Sequence, residues 1–98
     1  NLGGTASKKI LTVYREDALL IVAFLENLAI ASPKALVAKG CATRAGQILR
    51  GNHYGWFERV KRGHYTLSAH ASEEVTTTFP EVLRGCRLIV QSAALAAE

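Results

Sequence analysis

The 98-residue sequence contains no methionine, two cysteines, two prolines and one aspartate. Two cysteines are too few for a disulfide framework, so we expect Cys41 and Cys86 to be reduced thiols of a cytoplasmic protein, with a bridge or redox pair as the alternative. The missing start methionine predicts a piece of a longer protein. We expect a polar linker over residues 1–9, one domain over residues 10–92 and a tail over residues 93–98.

Several classes of function lack their sequence signals. No apolar run is long enough to cross a membrane, so no membrane partner is expected. One aspartate, Asp17, and seven scattered glutamates give no convincing catalytic carboxylate pair, and the cysteines and histidines lack zinc-ligand spacing. No glycine-rich phosphate loop is present. These residues therefore predict no metal, no cofactor and no catalytic site.

Positive charge is concentrated in the middle third of the chain. Residues 34–64 contain seven Lys or Arg residues and one acid, net +6, whereas the remainder has five bases and seven acids, net −2. Such focusing is typical of a polyanion-binding surface. A solvated basic face without a partner is the alternative that composition alone leaves open.

Three helices are predicted before residue 52. Apolar residues recur with a period near 3.6 over Leu11–Leu28 and indicate an amphipathic helix. Ser32-Pro33 suits the start of a short second helix, which Gly40 would end. Thr43 can cap a third helix that runs to about Arg50. Two short helices separated by a few residues around a glycine indicate a helix-turn-helix.

A hairpin and two further helices are predicted after residue 55. Trp56–Lys61 and His64–Ser68 have strand composition, and Arg62-Gly63 between them can form a two-residue turn. Regular pairing across this turn places Val60 opposite Tyr65 and Arg59 opposite Thr66. Residues 71–79 are predicted to be helical, and Pro80 can start a last helix. The expected fold is mainly α with a small β-hairpin, a winged helix-turn-helix.

The third helix has the composition of a DNA recognition helix. Thr43, Arg44, Gln47 and Arg50 fall on one arc, opposite the apolar residues. Arg and Gln side chains contact guanine, adenine and phosphates, which predicts binding in a major groove of double-stranded DNA. The hairpin would then clamp the phosphate backbone, with Asn52 and His53 as supplements. The predicted hairpin contacts are Arg59, Lys61, Arg62 and His64.

Alternatives remain for the hairpin and for the aromatic residues beside it. The hairpin charges can also protect it from edge-to-edge pairing. Tyr54, Trp56 and Phe57 are expected to anchor the hairpin to the third helix, with an exposed stacking platform for bases as the rival. Gly55 predicts a sharp bend. His53 is either a phosphate contact or a structural hydrogen-bond donor.

Two stretches resemble a known family. "VYREDALLIVAFL" (Val13–Leu25) and "ATRAGQILRGNHYGWFERVKRGHYTLS" (Ala42–Ser68) are similar to the C-terminal part of a bacterial family of uncharacterised proteins. In that family a restriction-endonuclease-like (PD-(D/E)XK-type) domain precedes a winged helix. The resemblance covers roughly residues 1–68. The "ERVxRGxYxL" pattern within it recurs in many winged helices and supports the fold more than the family.

The resemblance implies a DNA-binding domain that is not itself an enzyme. The nuclease motif of the family, an Asp followed by Glu-x-Lys on a strand, has no counterpart in the matching residues. We therefore expect this domain to position duplex DNA for a nuclease-like domain of the same chain. A protein-docking or homodimerisation module without DNA binding is the alternative, and its surface would be the apolar stretch Cys86–Ala97.

Overall fold

The chain consists mainly of helices, with one small antiparallel hairpin. Its structure, a computed structural model, describes the backbone of residues 2–97 and the side chains of residues 13–93. The predicted fold class, mainly α with a small hairpin, is confirmed, and the order of elements is winged-helix-like. The elements are α1 (Leu2–Leu28), α2 (Pro33–Ala38), α3 (Ala45–Gly51), β1 (Phe57–Lys61), β2 (His64–Leu67), α4 (Ala71–Thr78) and α5 (Pro80–Ala97).

Both terminal helices are longer than the sequence predicts. α1 begins at Leu2, so residues 2–9 are helical, and α5 continues to Ala97 through most of the predicted tail. Whether residues 1–9 serve as a linker stays a prediction. Residues 2–28 contain no proline, so no residue of this range blocks the helix outright, although Gly3 and Gly4 each disfavour it by about 1 kcal/mol. The domain limits of residues 10–92 stay a prediction.

The core is built around α1. Ala18, Ile21 and Leu25 of its predicted apolar stripe are buried, and Tyr14 and Leu28 lie half-buried at the two ends. α1 packs along α5 and also contacts α3, α4 and β2. A helix covered from several sides can be apolar nearly all round. This explains why residues 18–25 in the middle of α1 are all apolar.

α2 begins and ends as predicted. The Ser32 hydroxyl accepts a hydrogen bond from the Ala35 amide at 3.2 Å, and Pro33 occupies the first turn. Gly40 has φ +106°, and its amide donates to the Val37 carbonyl at 3.0 Å. A left-handed residue at this position satisfies helix carbonyls that would otherwise lack donors.

The predicted start of α3 is wrong. The helix begins at Ala45, Arg44 occupies the N-cap position, and no side chain caps it. The Ala45 amide donates to the Ala42 carbonyl at 3.0 Å, so a backbone turn already satisfies a donor that Thr43 would have capped. The predicted end near Arg50 agrees with the structure to within one residue, because α3 ends at Gly51 and its C-cap residue Asn52 has left-handed φ 46° and ψ 45°.

The hairpin forms with a different register from the predicted one. Lys61 pairs with His64 as expected, and Gly63 turns the chain with φ +76°. Beyond that pair a β-bulge at Val60 shifts β1 by one residue, so that Arg59 lies opposite Tyr65 and not opposite Thr66. Paired residues share a face of the hairpin, so the bulge moves Arg59 to the face that carries Tyr65.

The middle of β2 is tied to the segment between α1 and α2. Ala31 and Tyr65 exchange two backbone hydrogen bonds, of 3.0 and 2.9 Å, as an isolated antiparallel bridge. The Thr66 hydroxyl donates to the carbonyl of Ala29 at 2.6 Å. These bonds fix where β2 lies relative to the helices, and through it the position of β1.

The last two helices form as predicted around Pro80. α4 ends at Thr78 and α5 begins at Pro80, and Gly85 does not interrupt α5. Arg87 of α5 donates from Nε and Nη2 to the Glu26 carboxylate of α1, at 3.0 and 2.9 Å. Among the helices that the structure describes, none combines the length and apolar character needed to span a membrane.

Candidate nucleic-acid interface

An aromatic joint connects α3, the hairpin and α4. Trp56 is 1% exposed, stacks on Tyr54 with ring centroids 4.3 Å apart, and meets Phe79 edge to face at 6.0 Å. Its indole Nε1–H donates to Oε2 of Glu74 at 3.0 Å. The core interpretation of Trp56 is therefore confirmed, since a ring buried in this way cannot stack on a base. Gly55 has φ +72° and makes the predicted bend.

Both ends of the Asn52 side-chain amide are bonded inside the fold. Its Nδ2 donates to the Phe57 carbonyl at 2.9 Å, and its Oδ1 accepts from the Phe57 amide at 3.1 Å. These bonds give Asn52 a structural role, and its predicted contact with DNA stays a prediction. His53 is exposed and packs edge-on against the rings of Tyr14 and Tyr54, at centroid distances of 5.8 and 5.2 Å.

The predicted recognition face of α3 exists as a surface. Thr43, Arg44, Gln47 and Arg50 are all exposed, and they line one shallow depression together with Gly46. The opposite side of the helix, with Ala45, Ile48 and Leu49, is buried. The exposed and buried sides of α3 are therefore the ones that the sequence predicts.

Arg44 differs from the other cations of this face because it has an acidic partner. Its Nε lies 3.6 Å from Oδ2 of Asp17 on α1. Burial raises the pKa of the Asp17 carboxyl, and this effect outweighs the opposing influence of Arg44. Arg44 is thus held towards α1 and is less free than Arg50 to contact a ligand.

The side chain of Arg50 runs back along α3, and its guanidinium lies over Gly46. A Cβ atom added to Gly46 would come within 3.3 Å of Nη1 of Arg50 and within 3.5 Å of Cβ of Pro33. The absent side chain at residue 46 therefore leaves room for the guanidinium beside α2. The sequence signal for this arrangement is a glycine inside a helix, which usually has a packing or functional reason.

The hairpin presents its cations on two faces. Arg59, Lys61 and Arg62 are exposed and His64 is half-exposed, with its Nδ1 3.1 Å from the carbonyl oxygen of Arg62. Lys61 and His64 are paired, as predicted, but the bulge separates Arg59 from them. Arg59 instead lines a cleft between the hairpin and α3 that also includes Arg50 and Tyr65.

Two arginines outside this surface are engaged with other residues, whereas Arg84 has no salt bridge among the described residues. Arg87 pairs with Glu26, and the Arg15 guanidinium lies over the Phe79 ring, 5.1 Å from its centroid. By contrast, within the part of the chain that the structure describes, no salt bridge involves Arg50, Arg59 or any cation of the hairpin tip. Four exposed bases without a described carboxylate partner, Arg50, Arg59, Lys61 and Arg62, therefore lie on α3 and the hairpin. Lys34, Lys39 and Arg84 are further exposed bases without a salt bridge among the described residues.

The two cysteines and the acidic residues form no reactive centre in the described chain. Cys41 and Cys86 are buried free thiols, and burial raises both pKa values, that of Cys41 to about 11. A thiol with a raised pKa is a poor nucleophile at neutral pH. The described residues contain no group of three or more His, Cys, Asp or Glu side chains that could hold a metal ion, so we derive no metal-dependent step.

Two residues of the surface were missing from the predicted set. Asp17 restrains Arg44, and Gly46 leaves space for Arg50. Asp17 is the single aspartate of the chain, but its contact with Arg44 joins α1 to the start of α3 and leaves no local pattern. Gly46 had a visible signal, a glycine between two positions of the polar arc.

A match to a known family identifies the family of the chain. Residues 1–74 match the family described as "Putative PD-(D/E)XK phosphodiesterase (DUF2161)". The chain belongs to this family. The match includes all of the candidate surface, from Thr43 to His64, and ends inside α4. No curated protein and no solved structure matches the chain.

The family corrects one expectation from the sequence. The prediction that this chain is not an enzyme is wrong, because the matched family is one of phosphodiesterases and covers most of the chain. The prediction relied on the missing Asp and Glu-x-Lys motif in residues 1–68. Membership in a nuclease-like enzyme family overturns it, whereas the expected PD-(D/E)XK relationship is confirmed at the level of the family.

Proposed function

We propose that the surface formed by α3 and the hairpin binds the backbone of duplex DNA for the phosphodiesterase reaction of the family. The observation that carries the proposal is that four exposed bases without a described salt bridge, Arg50, Arg59, Lys61 and Arg62, lie on this surface. A DNA duplex carries a dense row of phosphate charges, and contacts with them account for most non-specific affinity. The family match supports the choice of ligand, because a phosphodiesterase acts on phosphodiester bonds.

The arrangement of the surface favours a double-stranded ligand. α3 is an exposed polar helix face, and a hairpin with a basic tip stands beside it, which is the geometry in which a helix enters a major groove and a wing reaches the adjacent backbone. In this proposal Arg44, Gln47 and Arg50 face the groove, with Thr43 on a phosphate. Four residues of the hairpin contact the backbone: Arg59, Lys61, Arg62 and His64.

The finer assignment is a winged-helix domain that follows the nuclease-like domain of a longer chain. The resemblance of residues 13–25 and 42–68 supports this order, as does the winged-helix-like sequence of elements. In the intact protein, DNA held on α3 and the hairpin would be positioned for cleavage by the nuclease-like domain. A cytoplasmic location, predicted from the free thiols, fits such a protein.

Fluorescence anisotropy with a labelled random-sequence duplex tests DNA binding. We expect micromolar affinity at low salt that falls steeply as salt rises, because each neutralised phosphate releases a counterion. Arg44→Glu together with Arg50→Glu should abolish binding. Both side chains are exposed, so the circular dichroism spectrum and the thermal midpoint should stay close to those of the wild type.

A matched control separates the surface from the net charge of the chain. Arg84 is exposed on α5 and has no salt bridge among the described residues, so Arg84→Glu changes the charge by the same amount as Arg50→Glu. We expect Arg50→Glu to reduce the affinity by about tenfold or more and Arg84→Glu to have little effect. Equal losses in affinity would mean that binding depends only on the net charge of the chain. Undiminished binding by the variant with both Arg44→Glu and Arg50→Glu would refute the proposal.

A second candidate function is docking of a protein partner or of a second copy of the chain. It is favoured by apolar side chains that α5 leaves in solvent: Leu88 is 58% exposed and Ile89 is 50% exposed. Sedimentation velocity over a wide concentration range tests self-association. Concentration-dependent dimers that Ile89→Lys dissolves would support docking, and a monomer that binds DNA would leave the first function in place.

A further inference from the structure

A cleft of about 290 Å³ separates α3 from the hairpin. Its walls come from the end of α3, the base of β1 and the facing residue of β2. Arg50 and Arg59 are the charged residues among those that line it, and no carboxylate lines it. The lining residues are Leu49, Arg50, Asn52, Phe57, Arg59 and Tyr65.

The β-bulge at Val60 is what brings Arg59 to this cleft. In a regular hairpin the pairing of Lys61 with His64 would continue to Arg59 and Thr66, on the outer face. The observed pairing of Arg59 with Tyr65 puts both residues on the face that looks towards α3. Bulges commonly redirect a side chain towards a functional site, and this one moves a cation to the cleft at the expense of regular pairing.

Arg50 borders both depressions of the surface. It lines the cleft with Arg59, and it also lines the shallow depression on α3 with Gln47. No described carboxylate pairs with it, in contrast to Arg44, so its long side chain can turn from Gly46 towards the cleft without breaking an ion pair. Two arginines of different elements can therefore converge on one ligand.

The chemistry of the lining selects an oxyanion with several acceptor oxygens. Guanidinium groups donate in a fixed fork that matches phosphate oxygens, and a tyrosine hydroxyl is a common phosphate donor in protein–DNA complexes. The Asn52 amide is already bonded to the Phe57 backbone. Arg50 and Arg59 thus supply guanidinium donors beside Tyr65, with no carboxylate in the lining.

We propose that the cleft between α3 and the hairpin binds a single phosphodiester group of the duplex backbone between Arg50 and Arg59. This inference rests on the proposed DNA-binding function and changes the role of Arg50 within it. Arg50 then contacts the backbone and not a base, and Arg59 shares its phosphate. The hairpin tip, with Lys61 and Arg62, contacts a different phosphate.

A double-mutant cycle tests whether the two arginines share one phosphate. Arg50→Gln and Arg59→Gln are measured singly and together by anisotropy, with Arg84→Gln on α5 as the control of equal charge. Each single substitution should weaken duplex binding about tenfold, since hydrogen bonds to charged groups are the stronger ones. The double variant should lose clearly less than the about hundredfold that independent contacts would give.

The salt dependence gives a second readout of the same cycle. The slope of log affinity against log salt counts the neutralised phosphates, at about 0.9 for each on duplex DNA. For a shared phosphate the double variant should lose about one phosphate from the slope, and for two separate phosphates about two. Additive losses in affinity with a slope change of about two would overturn the shared site and leave DNA binding intact. Failure of the wild type to bind any duplex would overturn both proposals.

Inorganic phosphate tests whether the cleft recognises the phosphate group itself. The duplex complex is titrated with inorganic phosphate and, in parallel, with chloride at equal ionic strength. We expect phosphate to displace DNA before chloride does, because guanidinium forks match phosphate oxygens, and this difference should disappear in Arg50→Gln. Equal displacement by the two anions would overturn the cleft as a phosphate site. If phosphate binds the free protein but duplex affinity is unchanged in Arg50→Gln, the cleft is a free-phosphate site and the assignment to DNA is overturned.

Discussion

Residues 43–68 supply both an aromatic joint and a cationic surface, and the fold treats the two in opposite ways. In the joint, Trp56 is sealed by Tyr54 and Phe79 and its one polar atom has a partner in Glu74. On the surface, Arg50 and Arg59 have no acidic partner among the described residues. Side chains whose polar atoms have partners inside the fold stabilise it, whereas charged side chains without such partners can bind a ligand. Substitutions in the joint should therefore alter stability, and substitutions on the surface should alter binding.

The largest expected effect is that of Trp56→Ala on stability. The substitution removes a fully buried ring that contacts two other aromatic residues, and such truncations cost about 3–5 kcal/mol. Urea denaturation followed by circular dichroism measures this loss in the free energy of unfolding. A loss below about 1 kcal/mol would contradict the role of Trp56 as the anchor of the hairpin.

Trp56→Phe serves as the companion variant in case the alanine variant does not fold. It keeps an aromatic ring against Tyr54 but loses the hydrogen bond to Glu74, whose carboxylate can be hydrated instead because it is exposed. We expect a loss of about 1–2 kcal/mol in unfolding free energy. DNA affinity at equal folded concentration should match the wild type, which would separate the joint from the cationic surface.

Asn52→Ala is expected to have the next largest effect, again on stability. Alanine removes two hydrogen bonds to the Phe57 backbone and must adopt a left-handed conformation, for a combined cost of about 2–3 kcal/mol. Urea denaturation provides the measurement. DNA affinity of the folded variant should be unchanged, because the amide of Asn52 already has partners on both ends.

Asn52→Gly isolates the backbone contribution. Glycine adopts the left-handed region without penalty, so this variant should lose only the hydrogen bonds and be more stable than Asn52→Ala by about 1 kcal/mol. Equal stabilities of the two variants would show that the conformation of residue 52 contributes nothing. A specific fall in DNA affinity for both would support the prediction that Asn52 contacts DNA.

The sequence predicted the helices and the hairpin better than it predicted the surface. Ser32, Gly40 and Gly63 are local signals, because a cap or a left-handed turn depends on neighbouring residues only. The bulge at Val60 depends on how β2 is tied to Ala31 and Ala29, far away in the sequence, and no pattern in β1 reveals it. The position of Arg59 could not be predicted for that reason.

The contacts of the arginines were equally hidden from the sequence. Arg44 and Arg50 have the same charge and lie on the same predicted arc, yet the structure pairs Arg44 with Asp17 and leaves Arg50 over Gly46. Which of two arginines meets an acid depends on how α1 packs against α3. Periodicity locates a polar face correctly, but it does not indicate which of its cations is available to a ligand.

Gly46→Ala should have a smaller effect and one of opposite sign. Alanine inside a helix is favoured over glycine by about 0.5–1 kcal/mol, so the variant should be more stable in urea. Its Cβ would lie 3.3 Å from Nη1 of Arg50, and the flexible guanidinium would move away from Gly46. If Arg50 binds phosphate in the cleft with Arg59, DNA affinity should be maintained. A marked fall in DNA affinity would mean that Arg50 binds DNA from its position over Gly46 and not from the cleft.

The smallest expected effect is the release of Arg44 by Asp17→Asn. The loss of this ion pair leaves Arg44 free for a phosphate, and affinity at low salt should rise about 1.4-fold to fivefold, which corresponds to the roughly 0.2–1 kcal/mol of an exposed pair. Glu16→Gln is the matched control, since it removes the same charge from the preceding residue of α1, which is exposed and forms no salt bridge with Arg44. Equal gains in DNA affinity in the two variants would mean that the effect comes from the change in net charge and not from the release of Arg44.

The pH dependence of stability gives the same substitution an independent readout. Burial raises the pKa of Asp17 in the folded state, so its protonated form is favoured there. The corresponding stability is fully present below the unfolded pKa and is lost as the pH rises through the raised folded pKa. Asparagine resembles the protonated side chain and cannot titrate, so Asp17→Asn should gain stability relative to the wild type between acidic and neutral pH. Urea denaturation at several pH values measures the difference, and a relative loss of stability over that range would mean that the ion pair with Arg44 outweighs burial.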